Sequence, residues 1–252
     1  MGTDRDWDKW GASDPYFGVL SADEYRSDNL DEQKLAKFFR SGSDYIGNVM
    51  TEIRSHLDAS FEPKASLDFG CGVGRLVIPL AGISDSVTGV DVSDHMLEET
   101  RANCDQRGLE NVSLVKSDDE LSQLHGSFNL IHSCIVLQHI QTRRGMKIIE
   151  SLLDHLAPGG VMAIQFYYRC DASRVVRFLV KLRYRFAIAN IARNIVRGSR
   201  WNEPAMQLHT YDLDKVLDLL KAAGASSVYL NPFTFGEFQS VALYAQKSSA
   251  DD

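Results

Sequence analysis

The chain has 252 residues, 44% hydrophobic and 24% charged, with a formal net charge of −7. That is the length of one large domain, or of a domain with an appendage, and the composition excludes a disordered polymer. No apolar run approaches the ~20 residues of a membrane span. The opening Met1-Gly2-Thr3-Asp4-Arg5-Asp6-Trp7-Asp8 fits neither a secretory leader nor, with Asp6 where Ser or Thr is needed, a myristoylation signal. Cys71, Cys104, Cys134 and Cys170 are widely spaced, which argues for free thiols and a cytoplasmic location rather than disulfides or zinc. The charge is unevenly spread. From Arg169 to Arg200 nine basic residues accompany one acid, a local +8, against 18 basic and 33 acidic residues elsewhere.

In chain order, the acidic opening segment carries interleaved Trp7, Trp10, Tyr16, Phe17 and Tyr25, the pattern of a segment that docks. Residues 32–58 have a helical apolar period, although Gly42 and Gly47 argue against one unbroken helix. From residue 65 strands and helices alternate. Strands are expected at 65–69, 86–91, 112–116, from 128 to 133, and at 161–167. Helices are expected from the glycine turn to about 82, over 94–107 with Ser93 as N-cap, and over about 143–157 with Thr142 as cap and Pro158-Gly159-Gly160 as stop. The alternation predicts a parallel, doubly wound sheet with helices on both faces. After the basic segment come a helix at 212–223, capped by Thr210 and ended by Gly224, and strands at 226–230 and 239–246. Their 231–238 link is too short for a helical crossover, so the last pair is antiparallel.

The first strand and turn read Leu67-Asp68-Phe69-Gly70-Cys71-Gly72-Val73-Gly74-Arg75, and the second strand ends Gly89-Val90-Asp91. Glycines let a ligand approach the backbone, a helix N-terminus follows, and a carboxylate 17 residues past Gly74 can accept hydrogen bonds from a ribose diol. Together they indicate an adenosine-type cofactor. The dinucleotide fingerprint needs its third glycine at position 75, which is Arg75.

The loop instead resembles motif I of the class I S-adenosylmethionine-dependent methyltransferases, and further motifs follow in order. Asp91-Val92-Ser93-Asp94-His95-Met96 resembles the second, Lys116-Ser117-Asp118-Asp119 the third, and Phe128 to Ser133 with Val136 to Ile140 the fourth. Leu156-Ala157-Pro158-Gly159-Gly160 resembles the turn after the motifs. The resemblance spans 64–168 and 208–247. It implies a Rossmann-like seven-stranded α/β sheet with an antiparallel last strand, an N-terminal helical segment (1–63), a helical insertion after strand five (169–207) and a disordered tail (248–252). It further implies S-adenosylmethionine as cofactor, S-adenosylhomocysteine as product and methyl transfer as reaction. Gly70, Gly72 and Gly74 would approach the methionine portion, Asp91 the ribose, and Met96 and Asp118 the adenine, with Asp68, Arg75, Val92, Asp119 and Ser133 as further cofactor-binding residues. A nicotinamide oxidoreductase and a non-catalytic cofactor-binding protein stay open as alternatives.

The acceptor is expected to be a small molecule, methylated at oxygen: a sugar, natural-product or lipid-linked hydroxyl. The N/D-P-P-Y/F tetrapeptide of nucleic-acid amino methylation and a Pro-Cys nucleophile are both absent, so no nucleic-acid partner is expected, and no metal. His139 and His209 are the candidate bases, since an ordinary histidine titrates near neutrality; His132 reads as a packed core residue. The transfer needs no protonated leaving group, so a base is not obligatory. Tyr16 and Tyr167 are further pocket candidates. The N-terminal aromatics read either as a lid or as a hydrophobic staple. In the insertion, Arg174, Arg177, Lys181 and Arg185 form one helical stripe that Arg193, Arg197 and Arg200 continue. That stripe would hold an anionic or phosphorylated acceptor, lie on an anionic membrane at its inner face, or pair with acids of the same chain or of a second copy.

Overall fold

The computed structural model describes residues 3–118 and 120–249. Chain order is α1 (Thr3–Ser13), α2 (Pro15–Val19), α3 (Glu32–His56), β1 (Ala65–Phe69), α4 (Val77–Ala81), β2 (Ser86–Asp91), α5 (Asp94–Asp105), β3 (Val112–Lys116) and β4 (Phe128–Ser133). There follow α6 (Thr142–Asp154), β5 (Leu156–Cys170), α7 (Arg174–Arg185), α8 (Ala187–Val196), α9 (Leu213–Ala222), β6 (Ala225–Phe235) and β7 (Phe238–Lys247). One seven-stranded sheet runs β3-β2-β1-β4-β5-β7-β6. All pairings from β3 to β5 are parallel, and β7 lies antiparallel to both β5 and β6. This is the expected doubly wound sheet with a reversed last strand.

Strand alternation sends neighbouring side chains to opposite faces, and both faces are apolar. Leu67, Phe69 and Ile131 face Ile149 and Leu152 of α6 and Val216 and Leu220 of α9. Leu130, Val87 and Val161 face Ile46, Val49 and Ile53 of α3 and Val77 and Leu80 of α4. A third cluster docks the N-terminal segment: Trp10, Tyr16, Phe17 and Tyr25 pack on Phe38 and Phe39 of α3, with Val73 and Met96.

Several local expectations are corrected. The α3 helix is unbroken; at Gly42 a Cβ would stand 2.1 Å from the Arg75 carbonyl oxygen, so the missing side chain lets the helix pack onto the glycine loop. Ser93 does cap α5, accepting from the Met96 N–H, but Thr142 is the first residue of α6 rather than its cap. Its hydroxyl instead donates to the Thr210 carbonyl at 2.9 Å. Thr210 is therefore not the cap of α9 either; the cap position is Asp212. Pro158-Gly159-Gly160 does not separate α6 from the strand. It sits inside β5 as an irregularity, between the pairs Phe128–Leu156 and Leu130–Val161. The expected 231–238 link is mostly strand: β6 runs to Phe235, β7 starts at Phe238, and Gly236 makes the turn at φ 56°. Of the expected tail, Ser248 is tied by backbone bonds to Gly159 and Gly224, and residues 250–252 lie outside the described ones.

The insertion departs furthest from expectation. It is two helices rather than one, broken at Phe186, which is extended at φ −124° and ψ 116°. Neither Gly nor Pro causes the break. Polar contacts do: Arg183 Nε donates to Asn190 Oδ1 (2.7 Å), while Asn190 and the buried Asn194 both donate to the Glu203 carbonyl (2.8 and 3.0 Å). These bonds hold α8 back against the chain that follows it.

Candidate active site

In a doubly wound sheet the crevice opens beyond the carboxyl ends of the strands where the order reverses, here between β1 and β4. A cleft of about 100 Å³ lies there. The loop after β1 forms its floor. Gly70 and Gly72 have φ of 78° and 54°, a left-handed backbone, and Cβ atoms there would stand 2.3 Å from Val136 and 2.5 Å from Val19. Thr100 of α5 pins the loop by donating to the Gly72 carbonyl at 2.5 Å.

Asp91, at the end of β2, is the hub. One carboxylate oxygen accepts from Gly72 N and the other from Ser93 N, both at 2.9 Å. Each oxygen keeps a further lone pair for a ligand. Burial pushes its pKa up, and the backbone N–H groups of Ser93 and Gly72 act against that shift. On the opposite wall stand two unlike charges. Arg75 is 5% exposed, and its Nε has no hydrogen-bond partner. Asp68 receives His132 Nδ1 at 2.8 Å, and His132 is buried as expected of a core residue.

The mouth of the cleft follows β4. Ile135 has φ 60°, costly for a β-branched residue. Its N–H is held at 2.8 Å by Gln165, which Ser240 holds in turn at 2.7 Å. His139 lines the cleft and donates from Nδ1 to the Gln207 carbonyl at 2.8 Å, which leaves Nε2 as its acceptor. Burial lowers its pKa to about 4, so it is neutral at pH 7. Trp7 stands edge-on over this ring at 4.9 Å. Asp4 and Arg144 close the same side as a two-pronged ion pair. Cys134 also lines the cleft; burial raises its thiol to about 11, so it is neutral and no nucleophile.

The His139 shift has a stability consequence of definite sign. Between pH 6.5 and 4 the unfolded chain binds a proton there that the folded chain refuses, so stability falls as pH falls. The loss reaches about 2 kcal/mol by pH 5. Urea midpoints measured from pH 7.5 to 5 are expected to fall more steeply in the wild type than in His139→Asn. Equal slopes would show that His139 is not buried neutral.

The other expected site residues divide. Asp68, Gly70, Gly72, Arg75, Asp91, Val92 and Met96 all line the cleft. Gly74 does not; its backbone turn packs near Thr100. Ser133 is fully buried and donates to the Phe69 carbonyl at 2.9 Å. Asp118 is not among the residues that line the cleft: its exposed carboxylate accepts from Glu120 N and Ser122 N. Its neighbour Ser117 lines the wall instead. Asp119 lies outside the described residues. Tyr16 is buried among Phe38 and Phe39 and donates to Glu99 at 2.6 Å. Tyr167 is buried against Phe238. Neither tyrosine reaches the cleft.

A second cavity adjoins the mouth across residues 138–142 and 207–210. His209 lines it with Trp10, Tyr184, Arg183, Arg193 and Arg197. The buried His209 Nε2 has no partner, and burial lowers the pKa of this histidine. Burial, and then the neighbouring guanidiniums, also lower Arg183 and Arg193. Arg177 lines this cavity; Arg174 is exposed outside it. Among the described residues no three His, Cys, Asp or Glu side chains cluster as metal ligands. Residues that the motifs did not single out include Val19, Ile135 and the Asp4–Arg144 pair. The Trp7-to-Trp10 stretch was their nearest sequence signal: Trp10 is buried, and Trp7 lines the cleft beside His139.

Comparison with known proteins agrees with this geometry. Residues 67–160 match the family model described as a methyltransferase domain. A ubiquinone biosynthesis O-methyltransferase of Caulobacter sp. is 29% identical over 134 residues, which is 53% of this chain and 47% of that protein. The 23S rRNA (uracil(1939)-C(5))-methyltransferase RlmD of Marinomonas posidonica is 31% identical over 112 residues, 44% of this chain and 24% of that one. The chain thus spans less than half the length of either. Magnesium protoporphyrin IX methyltransferase of Synechocystis, solved with bound S-adenosylmethionine, superposes with a TM-score of 0.60 at 18% identity, covering 98% of each chain. The ordered motifs, the reversed seventh strand and the family match converge on residues 67–160 as a methyltransferase domain, set in a sheet with the fold of solved methyltransferases.

Proposed function

We propose that this protein transfers a methyl group from S-adenosylmethionine to a hydroxyl of a small acceptor. The observation that carries the reading is the cleft's donor set. Asp91 offers two acceptor oxygens beside glycines whose Cβ positions other side chains would crowd. The unpartnered Arg75 Nε and the nearby Asp68 suit the carboxylate and ammonium of an amino-acid moiety. Val92, Met96 and Ser117 line the same cleft and suit a nucleoside.

When bound, the sulfonium supplies an electrophilic methyl whose leaving group needs no proton. The protein's own work is then positioning. Trp7, with the Asp4–Arg144 pair, shields the mouth from water. His139, neutral and fixed by Gln207, offers Nε2 to orient an acceptor hydroxyl and take its proton late. Oxygen is favoured over nitrogen by this neutral acceptor and by the likeness to ubiquinone O-methyltransferases. Arg183, Arg193 and Arg197 in the second cavity, facing the Glu203 carboxylate on its inner wall, favour an acceptor with an anionic group.

Transfer from methyl-¹³C S-adenosylmethionine to a panel of hydroxylated small molecules, read by NMR, tests this. The expected product is an O-methyl compound, formed faster from carboxylated or phosphorylated members. Label arriving on nitrogen, or on no hydroxyl in the panel, counts against the reading.

A further inference from the structure

The outer face of the insertion carries a row of large exposed apolar side chains that line neither cavity. Val175 is 68% exposed, Phe178 65%, Leu179 56%, Ile188 81% and Val196 86%. On α7 the spacing of Val175, Phe178, Leu179, Leu182 and Phe186 makes one stripe at helical period. No residue of α7 is buried. A soluble monomer seldom exposes a contiguous patch of this kind without a partner for it.

The charge beside the patch is also unmatched. The base of the insertion is anchored by ions: Arg200 pairs with Asp14 and Asp28, and Arg26 bridges Asp14 and Glu203. On α7 itself, Arg174, Arg177, Lys181 and Arg185 form no ion pair with a carboxylate among the described residues. This holds in a chain with 34 acidic residues. The four cations lie along one edge of the apolar stripe.

We propose that the α7–α8 hairpin is an interfacial docking surface for a lipid bilayer carrying anionic headgroups. The apolar stripe would enter the acyl boundary, and the flanking cations would meet the headgroups. Among the described residues no helix is long and apolar enough to cross a membrane, so α7 lies in the interface plane rather than spanning it. Charge decides against a second copy as the occupant. A two-fold contact through this face would bring two rows of unpaired cations together. Anionic lipid complements the same row. The inference uses no residue of the cofactor cleft; Arg177 and Lys181 also line the second cavity, so the charge variants that test it replace Arg174 and Arg185, which do not.

Sedimentation with vesicles tests it. The full chain is expected to sediment with phosphatidylcholine vesicles containing phosphatidylglycerol, and at least tenfold less with phosphatidylcholine alone. Raising salt until the Debye length falls from about 10 Å to about 3 Å should release it. The pair Arg174→Gln and Arg185→Gln is expected to weaken binding by about thirtyfold, at about 1 kcal/mol for each charge near the surface. The pair Phe178→Asp and Leu179→Asp should abolish it. Unchanged melting temperature and unchanged S-adenosylhomocysteine affinity will show that these variants remain folded. Absence of wild-type binding to the anionic vesicles would overturn the proposal, as would undiminished binding by the aspartate pair. A dimer in size-exclusion chromatography that the aspartate pair dissociates would overturn it in favour of a second copy.

Discussion

Replacing Asp91 with alanine is expected to weaken S-adenosylhomocysteine binding by roughly a thousandfold. Each hydrogen bond to a charged acceptor contributes about 1.5–3 kcal/mol, and the ribose diol would lose two. The carboxylate also organises the site before any ligand arrives, because it accepts from Gly72 N and Ser93 N at 2.9 Å. Alanine leaves both donors without their partner, at about 1–3 kcal/mol for each that water does not reach. The variant should therefore lose stability as well as affinity. Asp91→Asn separates the two effects. An amide keeps one acceptor oxygen and turns an N–H₂ toward one of the backbone donors, so an intermediate loss is expected. Calorimetric titration of both variants with S-adenosylhomocysteine checks this; a loss below tenfold for Asp91→Ala would remove Asp91 from the cofactor site.

Gly145→Ala is expected to destabilise the fold by about 2–4 kcal/mol. Helix propensity predicts the opposite sign, since alanine gains about 1 kcal/mol over glycine inside a helix such as α6. Packing decides. A Cβ at Gly145 would stand 1.9 Å from the Tyr211 hydroxyl and 2.7 Å from its ring. Tyr211 is 1% exposed, and its hydroxyl bonds the carbonyls of Leu137 (2.8 Å) and Ile140 (3.0 Å). Overpacking costs about 1–3 kcal/mol, and displacing the hydroxyl removes the one proton that these two carbonyls share, although the Leu137 carbonyl keeps the Ile140 N–H. Those carbonyls bracket His139, so methyl transfer should fall with stability. A drop in melting temperature of roughly 5–15 °C is expected for a chain of this size. Tyr211→Phe in the Gly145→Ala background should add less than its separate cost, because the closest clashing atom is then gone. A variant at or above wild-type stability would show that the α6–Tyr211 contact is looser than described.

The parallel core was legible because its signals are local. Strand bounds at 65–69, 86–91 and 112–116 follow from short apolar runs between turns, and they match β1, β2 and β3. Asp91 was readable from its distance to the glycine loop. What escaped depends on contacts far apart in the chain. Thr142 has a capping residue's chemistry, yet its hydroxyl meets Thr210, 68 residues away. Asp118 follows the third strand, but its carboxylate is engaged by the backbone N–H groups of Glu120 and Ser122, and it is Ser117 that lines the cleft. Tyr16 looked like a pocket residue; only the packing of Phe38 and Phe39 buries it. The break at Phe186 is set by Asn190 and Asn194 reaching Glu203, which helical periodicity does not encode. The net charge of −7 concealed the feature that separates this chain from a bare methyltransferase core, a basic, outwardly apolar hairpin.

One titration tests the central claim most directly: calorimetry of the full chain against S-adenosylmethionine, S-adenosylhomocysteine and NADH. The cleft as described predicts saturable one-to-one binding of the two sulfur nucleosides and none of NADH. Tight NADH binding with no heat from either sulfur nucleoside would contradict it.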